Sequence, residues 1–317
     1  MPATPRDPVD RAGTTGDTTG AGRGPADTVG RATALLGSWR PGGDRFLASP
    51  HRTLLGRGVR VVVPHDERPL AERVTATLAS LAEDPDGGPA LVMGAVPFDT
   101  DRPAALAVPA ELESAPPLAG DPLIALPAEH PTVEGRWRVR PVPEPARYTA
   151  AVAEAVRRMR AGDLRKVVLA RTLELEADRA PDLPAVLSRL ARRDPTGHTF
   201  ALPTAPGRSL LGASPELLLS RTGDRVVANP LAGSTPRGPD LAEDVRRAAR
   251  LLDSPKDLHE HAVVVADIRA ALEPWCEELE IPERPGLVRT AGMWHLSTTV
   301  TGTLRDPRPT SLELAEA

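Results

Sequence analysis

The chain has 317 residues, of which 40% are hydrophobic and 26% are charged, with a formal net charge of −4 at pH 7. These proportions are typical of a globular protein with a large buried core. The weak negative charge gives no reason to expect a nucleic-acid partner, and the single cysteine, Cys276, excludes an internal disulfide and a multi-cysteine metal site. We find no apolar run of the length of a signal peptide or membrane span, so we expect a cytoplasmic protein without a membrane partner.

The chain changes character at residue 31. Residues 1–30 are rich in Gly, Thr, Pro, Asp and Arg and nearly lack large apolar side chains, so we expect a disordered tail there and one domain over residues 31–317. Next, FLASPHRTLLGRGVRVVVP predicts two strands around a glycine turn, and RPLAERVTATLASLAED predicts an amphipathic helix. The proline-punctuated stretch Glu113–Pro145 predicts a surface loop that joins two halves.

The second half alternates helices with paired strands. ARYTAAVAEAVRRMRAGDL predicts a helix that ends at Gly162, and the apolar run Val167–Ala170 predicts a buried strand. A helix over DLPAVLSRLARRD precedes the paired strands of LLGASPELLLSRTGDRVVANPLAG. Because hairpins outnumber strand–helix–strand units, we predict an α+β fold with large, mostly antiparallel sheets and helices packed outside.

Two charged side chains interrupt these apolar strands. Lys166 stands at the head of Val167–Ala170, and Glu216 stands directly before Leu217. A charge at the edge of a buried run must reach water, find a partner or serve chemistry, because desolvating it alone is costly. A strand-edge charge that reaches water is the simpler interpretation of either one alone. However, Lys166 is one of two lysines among 39 basic residues, and lysine, unlike arginine, can act as a base.

The clearest helix of the sequence is Ser254–Leu272, with a serine at the N-cap and Asp257 placed to complete a capping box. It carries the run HEH at positions 259–261. Successive helical residues point about 100° apart, so the two histidines cannot close on one zinc ion. Glu260 as a carboxylate ligand of Mg²⁺ is the better functional interpretation, and a solvated helix face is the alternative.

Five ordered blocks of the sequence carry a resemblance to a known family. They read KVVLAR, GASPELLL, PLAGSTPRG, SPKDLHEHAVVV and MWHLSTTVTG. In this order and spacing they resemble the chorismate-utilising enzymes, which include isochorismate, salicylate, anthranilate and aminodeoxychorismate synthases. The resemblance extends from about Phe46 to the end of the sequence. It implies the chorismate-utilising enzyme fold, with a chorismate-binding catalytic domain over residues 31–317.

Within the family, the resemblance favours one branch. Isochorismate and salicylate synthases carry a lysine in KVVLAR, where Lys166 stands here, whereas anthranilate synthase typically has none. Aminodeoxychorismate synthase carries a nucleophilic lysine in the PLAG loop, where this sequence has Ala232. The PLAGS and WHL runs look most like isochorismate synthases of catecholate siderophore pathways, with salicylate synthase as the close alternative.

The resemblance implies a role for each candidate residue. Chorismate becomes isochorismate when water adds at C2 and the C4 hydroxyl leaves, so the reaction needs a base and an acid. Lys166 is the expected base, and Glu216 is the expected acid, kept protonated by burial against its leucine neighbours. Gly233 and Ser234 are expected to bind the substrate through backbone N–H groups and a hydroxyl. His295 is expected to line the pocket, although a histidine after a tryptophan is about as often a core residue.

The implied cofactor is Mg²⁺, held in part by Glu260 and neutralising the ring carboxylate of chorismate. We expect a monomer. After TSLELAEA, relatives continue into strands that carry a further carboxylate for the metal and an arginine and a lysine for the substrate. We therefore expect the domain to be incomplete at its C-terminus, and a non-catalytic remnant is the alternative to an active isochorismate synthase.

Overall fold

Seven α-helices and five β-sheets form the part of the chain that this computed structural model describes, namely residues 29–82, 87–99, 101–126 and 136–317. Every strand pairing in these ranges is antiparallel, which confirms the predicted α+β class. The predicted tail over 1–30 lies outside the described residues up to position 28. Within the described ranges, no helix has the length and apolar character needed to cross a bilayer.

Several of the helices begin or end at capping residues. They are α1 (Arg31–Ser38), α2 (Leu70–Ala82), α3 (Pro145–Ala161), α4 (Leu183–Arg193), α5 (Leu241–Leu252), α6 (Pro255–Leu272) and α7 (Ser311–Glu316). Asp182, Asp240 and Ser254 each accept a backbone N–H three residues further on, at the N-termini of α4, α5 and α6. Gly162 ends α3 at φ 85°, as predicted, because glycine adopts this left-handed conformation without steric cost.

The largest sheet has five strands in the order β10-β9-β1-β2-β6 and carries the first core. Its strands are β1 (Arg45–Ala48), β2 (Thr53–Arg57), β6 (Glu111–Ala115), β9 (His198–Ala205) and β10 (Arg208–Ser214). Helices α1 and α4 pack on it. The fully buried side chains between these elements include Trp39, Phe46, Leu55 and Leu187. This core joins the two halves of the chain, because β1 pairs with both β2 and β9.

A second core lies beneath the sheet β11-β12-β17-β14, against α6 and α7. Val226, Val300 and Ala228 are its most buried strand residues. This sheet adjoins a three-stranded sheet, β13-β16-β15, which carries most of the candidate site. The strands of the two sheets are β11 (Leu217–Thr222), β12 (Arg225–Asn229), β13 (Leu231–Pro236), β14 (Cys276–Glu280), β15 (Gly286–Arg289), β16 (Met293–Ser297) and β17 (Val300–Leu304).

Two smaller sheets complete the fold, with strands β3 (Val61–Val62), β4 (Met93–Ala95), β5 (Ala105–Val108), β7 (Trp137–Val142) and β8 (Thr172–Ala177). Two sequence predictions on these strands are wrong. The segment predicted as two strands around a glycine turn forms three strands, and Gly58 lies between the second and the third. The predicted loop Glu113–Pro145 contains the whole of β7, because Pro141 lies in a two-stranded ribbon where a missing N–H is tolerated.

The strand predicted at Val167–Ala170 is also wrong. The structure has no strand over residues 166–171, and Val168 is 77% exposed instead of buried. The last pair of the β7–β8 ribbon is Val142 with Thr172. β7 ends at this pair and α3 begins at Pro145, so residues 166–171 have no strand opposite them.

Candidate active site

A bulge in β13 organises the candidate site. β13 pairs with β16 through Leu231 opposite Ser297 and Ser234 opposite His295, so β13 has one residue more than its partner between these pairs. Gly233 occupies this bulge at φ 88°. A Cβ atom there would lie 3.1 Å from the Asp257 Cβ. Glycine therefore serves two needs, a left-handed backbone and close approach to the first turn of α6.

Ser234 and His295 lie opposite each other on neighbouring strands, with Ser234 Oγ 2.7 Å from His295 Nδ1. Ser234 is exposed, and His295 is half-buried. Burial lowers the pKa of His295, and the neighbouring Glu216 carboxylate opposes that shift. A neutral ring at neutral pH can exchange donor and acceptor roles with the Ser234 hydroxyl, which suits it to bind polar groups of a ligand.

Glu216 occupies the bend between β10 and β11, beside the start of β13. Its Oε1 accepts a hydrogen bond from the Leu231 N–H at 3.0 Å, and its own N–H donates to Ser214 Oγ at 3.2 Å. The predicted burial of Glu216 against its leucine neighbours is wrong, because Glu216 is exposed and Leu218 is 73% exposed. Pro215 ends β10 before the carboxylate, so the bend turns Glu216 towards β13 instead of into a core.

Glu260 lies on the first two turns of α6, the helix against which Gly233 packs. Its Oε1 is 2.9 Å from Lys256 Nζ, and this contact raises the pKa of the lysine. Within the described ranges, no group of three histidine, cysteine, aspartate or glutamate side chains is arranged to hold a metal ion. The HEH run behaves as its helical spacing predicts, since His259 is exposed whereas His261 is buried against β13.

Lys166 lies apart from these residues, in the segment between α3 and β8. It is half-buried and, within the described ranges, forms no hydrogen bond or ion pair. The segment is attached to α3 by the Tyr148 hydroxyl, which donates to the Leu169 carbonyl at 3.2 Å, and by Arg171 over the Tyr148 ring. The structure thus brings Glu216, Gly233, Ser234 and His295 together beside α6, and no hydrogen bond or ion pair among the described residues joins Lys166 to them.

Comparison with known proteins identifies the family. Residues 126–317 match the family model described as a chorismate binding enzyme. The chain is 44% identical over 305 residues to isochorismate synthase DhbC of Bacillus subtilis (strain 168), covering 92% of this chain and 74% of that protein. The chain belongs to the chorismate-binding enzyme family. Isochorismate synthase EntC of Escherichia coli (strain K12) is 33% identical over 264 residues, covering 81% of this chain and 67% of that protein.

Solved structures of chorismate-binding enzymes agree with this assignment. One described as a 2,3-dihydroxybenzoate-specific isochorismate synthase, DhbC, from Bacillus anthracis matches with a TM-score of 0.79 at 38% identity, over 90% of this chain and 74% of that one. Anthranilate synthase component I from Streptococcus pneumoniae TIGR4, at 17% identity and a TM-score of 0.62, covers 83% of this chain and 71% of that one and shares the fold alone. The predicted isochorismate synthase branch is therefore confirmed.

One feature that the sequence analysis did not identify is the buried carboxylate of Asp244 with its hydrogen-bond donors, which we call the brace. Asp244 on α5 is 5% exposed and accepts hydrogen bonds from the Arg237 guanidinium, the Gly238 N–H and the Trp294 indole. Arg237 also lies over the Trp294 ring, 5.0 Å from its centroid. Because Arg237 follows β13 and Trp294 lies on β16, the brace fixes the pair of strands that carries Ser234 and His295. A carboxylate seven residues after the arginine of STPRG was the available signal.

Proposed function

We propose that this chain is an isochorismate synthase, which converts chorismate into isochorismate by adding water at C2 and expelling the C4 hydroxyl. The observation that carries the proposal is the 44% identity to an isochorismate synthase over 92% of the chain. The sequence supports the same function. Lys166 is present in the KVVLAR block, and Ala232 stands where aminodeoxychorismate synthase would carry its nucleophilic lysine.

In this proposal Lys166 is the base and Glu216 is the acid. Lys166, in its neutral form, removes a proton from the water that attacks C2, while the double bond shifts and the C4–O bond breaks. Glu216 delivers a proton to that oxygen, so the group leaves as water, and the net reaction exchanges one water for another. The hydrogen bond from Leu231 to Oε1 leaves Oε2 as the oxygen that would carry the proton. Proton return from Lys166 to Glu216 through solvent completes the cycle.

The β13 bulge would hold the substrate between these two groups. Ser234, exposed on the edge strand β13, offers a hydroxyl, and the half-buried His295 on β16 offers a neutral imidazole. Both groups suit the hydroxyl and carboxylate groups of chorismate. Gly233 has no side chain, so its backbone can approach the ligand closely. The position of Glu216 supports its role. β13, which carries Ser234, also binds the Glu216 carboxylate through the Leu231 N–H at its first residue.

Mg²⁺ is part of the proposal, but the described residues do not complete a site for it. They provide Glu260 as one carboxylate, with its Oε1 engaged by Lys256. We therefore derive no step of the reaction through the metal. Titrating Mg²⁺ into metal-stripped protein tests this requirement, and the proposal expects isochorismate formation to rise with Mg²⁺ and to need more of it in a Glu260→Gln variant.

The pathway is a finer part of the proposal. Similarity to a 2,3-dihydroxybenzoate-specific isochorismate synthase and to the vibriobactin-specific isochorismate synthase of Vibrio cholerae supports a role in catecholate siderophore synthesis. A cytoplasmic monomer stays a prediction.

Product analysis tests the proposed function. Purified protein is incubated with chorismate and Mg²⁺, with and without ammonium, and the products are separated and identified by NMR. The proposal expects isochorismate in both mixtures. Salicylate with pyruvate would instead indicate a salicylate synthase, and anthranilate formed with ammonium would indicate an amine-transferring relative.

A further inference from the structure

His261 is buried at the centre of the candidate site, and none of the roles above uses it. It follows Glu260 on α6 and is 2% exposed. Its Nδ1 lies 3.0 Å from the Ala232 carbonyl oxygen, and its Nε2 lies 2.7 Å from Thr298 Oγ1. Thr298, which directly follows β16, is 3% exposed. One imidazole therefore connects α6 to the bulge of β13 and to the end of the neighbouring strand.

The bulge explains why this contact is needed. Ala232 lies in the bulge, between the pairs that join Leu231 to Ser297 and Ser234 to His295, where the regular ladder is interrupted. A carbonyl that loses its ladder partner away from water needs another donor. His261 is that donor for Ala232. Without it, the extra residue of β13 would have more than one way to fit against α6.

The two hydrogen-bond partners of His261 also determine which nitrogen of its ring carries a proton. A carbonyl oxygen accepts hydrogen bonds and cannot donate, so Nδ1 of His261 must carry the proton. In the neutral ring, Nε2 is then an acceptor, and the Thr298 hydroxyl donates to it. The arrangement requires one tautomer, with its proton on Nδ1.

We propose that His261 is a positioning residue for the reaction: through the Ala232 carbonyl and the Thr298 hydroxyl, it holds the β13 bulge in the shape that presents Gly233 and Ser234 to chorismate. The part of this inference that concerns chorismate rests on the proposed function. His261 itself does not touch the substrate in this role. Its loss misplaces the substrate relative to Glu216, and misplacement by about 1 Å costs on the order of 10²-fold in rate.

Four variants and a control test the inference through activity. His261→Leu keeps volume but removes both hydrogen bonds, whereas His261→Asn keeps a donor near the Nδ1 position. Thr298→Val removes the hydroxyl, and Thr298→Ser keeps it. His259→Leu is the matched control, because His259 is the exposed histidine two residues earlier on the same helix.

We expect His261→Leu to lower kcat by about 10²-fold, and Thr298→Val to lower it less. His261→Asn, Thr298→Ser and His259→Leu should stay near the wild-type rate. Because Thr298 acts through His261, the His261→Leu/Thr298→Val double variant should be no slower than His261→Leu alone. Additive losses in the double variant would overturn the inference. So would an unchanged kcat in folded His261→Leu, or a loss that merely follows the fraction of protein unfolded at the assay temperature.

A second readout does not depend on activity. Ring-nitrogen NMR of ¹⁵N-histidine-labelled protein, with His261 assigned by its absence from the His261→Leu spectrum, should show a proton on Nδ1 of His261. A ring protonated on Nε2 would overturn the inference. A wild-type protein that forms no isochorismate would refute the proposed function, whereas this spectrum would still decide whether His261 holds the bulge.

Discussion

Among the single residues of the proposed site, Lys166 determines which nucleophile is activated. In the proposed reaction its neutral amine accepts a proton from water, a role that arginine cannot take because it stays protonated. We expect Lys166→Ala to lower kcat by at least ~10²-fold, in line with the loss of a general base, while chorismate binding measured by calorimetry largely survives. Lys166→Arg, which keeps the charge, should be as inactive as the alanine variant. Turnover within a few-fold of wild type in either variant would remove Lys166 from the mechanism.

Glu216 is the second residue with a defined chemical role. Glu216→Gln keeps the hydrogen bond from Leu231 but has no proton to deliver, so we expect kcat to fall by at least ~10²-fold with little change in thermal stability. The control is Glu277→Gln, since Glu277 is an exposed glutamate on β14, away from the site. Near-normal kcat in Glu216→Gln would show that the carboxylate serves only to anchor the start of β13.

At the scale of elements, the fit of the β13 bulge against α6 depends on Gly233. Gly233→Ala introduces two costs, a left-handed backbone and a Cβ 3.1 Å from Asp257 Cβ and from Leu296 Cδ1. Gly207→Ala isolates the first cost, because Gly207 has φ +69° and a Cβ there meets nothing within 4 Å. We expect urea denaturation to show that Gly207→Ala lowers the free energy of unfolding by about 1 kcal/mol and Gly233→Ala by about 2 to 3 kcal/mol. Equal losses in the two variants would mean that the contact with α6 is readily relieved.

The brace between α5 and the β13–β16 pair is the second element-level feature. The Arg237 guanidinium holds the pKa of Asp244 far below its usual range. The stability that Asp244 contributes is therefore present above its unfolded pKa and is lost as the pH falls through its folded pKa. We expect Asp244→Asn to lower the thermal midpoint at pH 7, and to lower it less as the pH falls below about 4, the unfolded value.

Asp253→Asn is the control for this prediction, because Asp253 is an exposed aspartate just after α5. Its midpoint should follow that of the wild type across the same pH series. A midpoint difference between Asp244→Asn and wild type that is as large at pH 2 as at pH 7 would contradict the assigned role of the carboxylate.

For the whole molecule, the sequence predicts the fold class and the family more accurately than it predicts which side chains are buried. The structure confirms the features that depend on neighbouring residues in the sequence. These are the hairpin patterns, the N-cap at Ser254 and the C-cap of α3 at Gly162. The strand at Val167–Ala170 and the burial of Glu216 depend on what lies beside these segments in space. The first segment has no strand opposite it because β7 ends at Val142, and Pro215 turns the second, and neither effect follows from the apolar runs alone.

The candidate site shows the same division. Gly233, Ser234 and His295 were predicted from motifs and lie together, because one strand pair carries all three. The partners of His261 lie 29 and 37 positions away, so its role does not follow from neighbouring residues. Asp244 has Arg237 and Gly238 within seven positions, but its contact with Trp294, 50 positions away, exists only in the folded protein. Lys166 was predicted from the same motifs, and its part in the site stays a prediction.

The proposed function requires that solvent water adds at C2 of chorismate while the C4 oxygen leaves. The most direct test is to incubate the protein with unlabelled chorismate in H₂¹⁸O and to locate the isotope in the product by ¹³C NMR and mass spectrometry. The account predicts isochorismate with ¹⁸O in the C2 hydroxyl and the original C4 oxygen released to solvent. Two results would contradict this mechanism. One is isochorismate whose C2 hydroxyl contains the unlabelled C4 oxygen of chorismate, and the other is a folded protein that leaves chorismate unchanged.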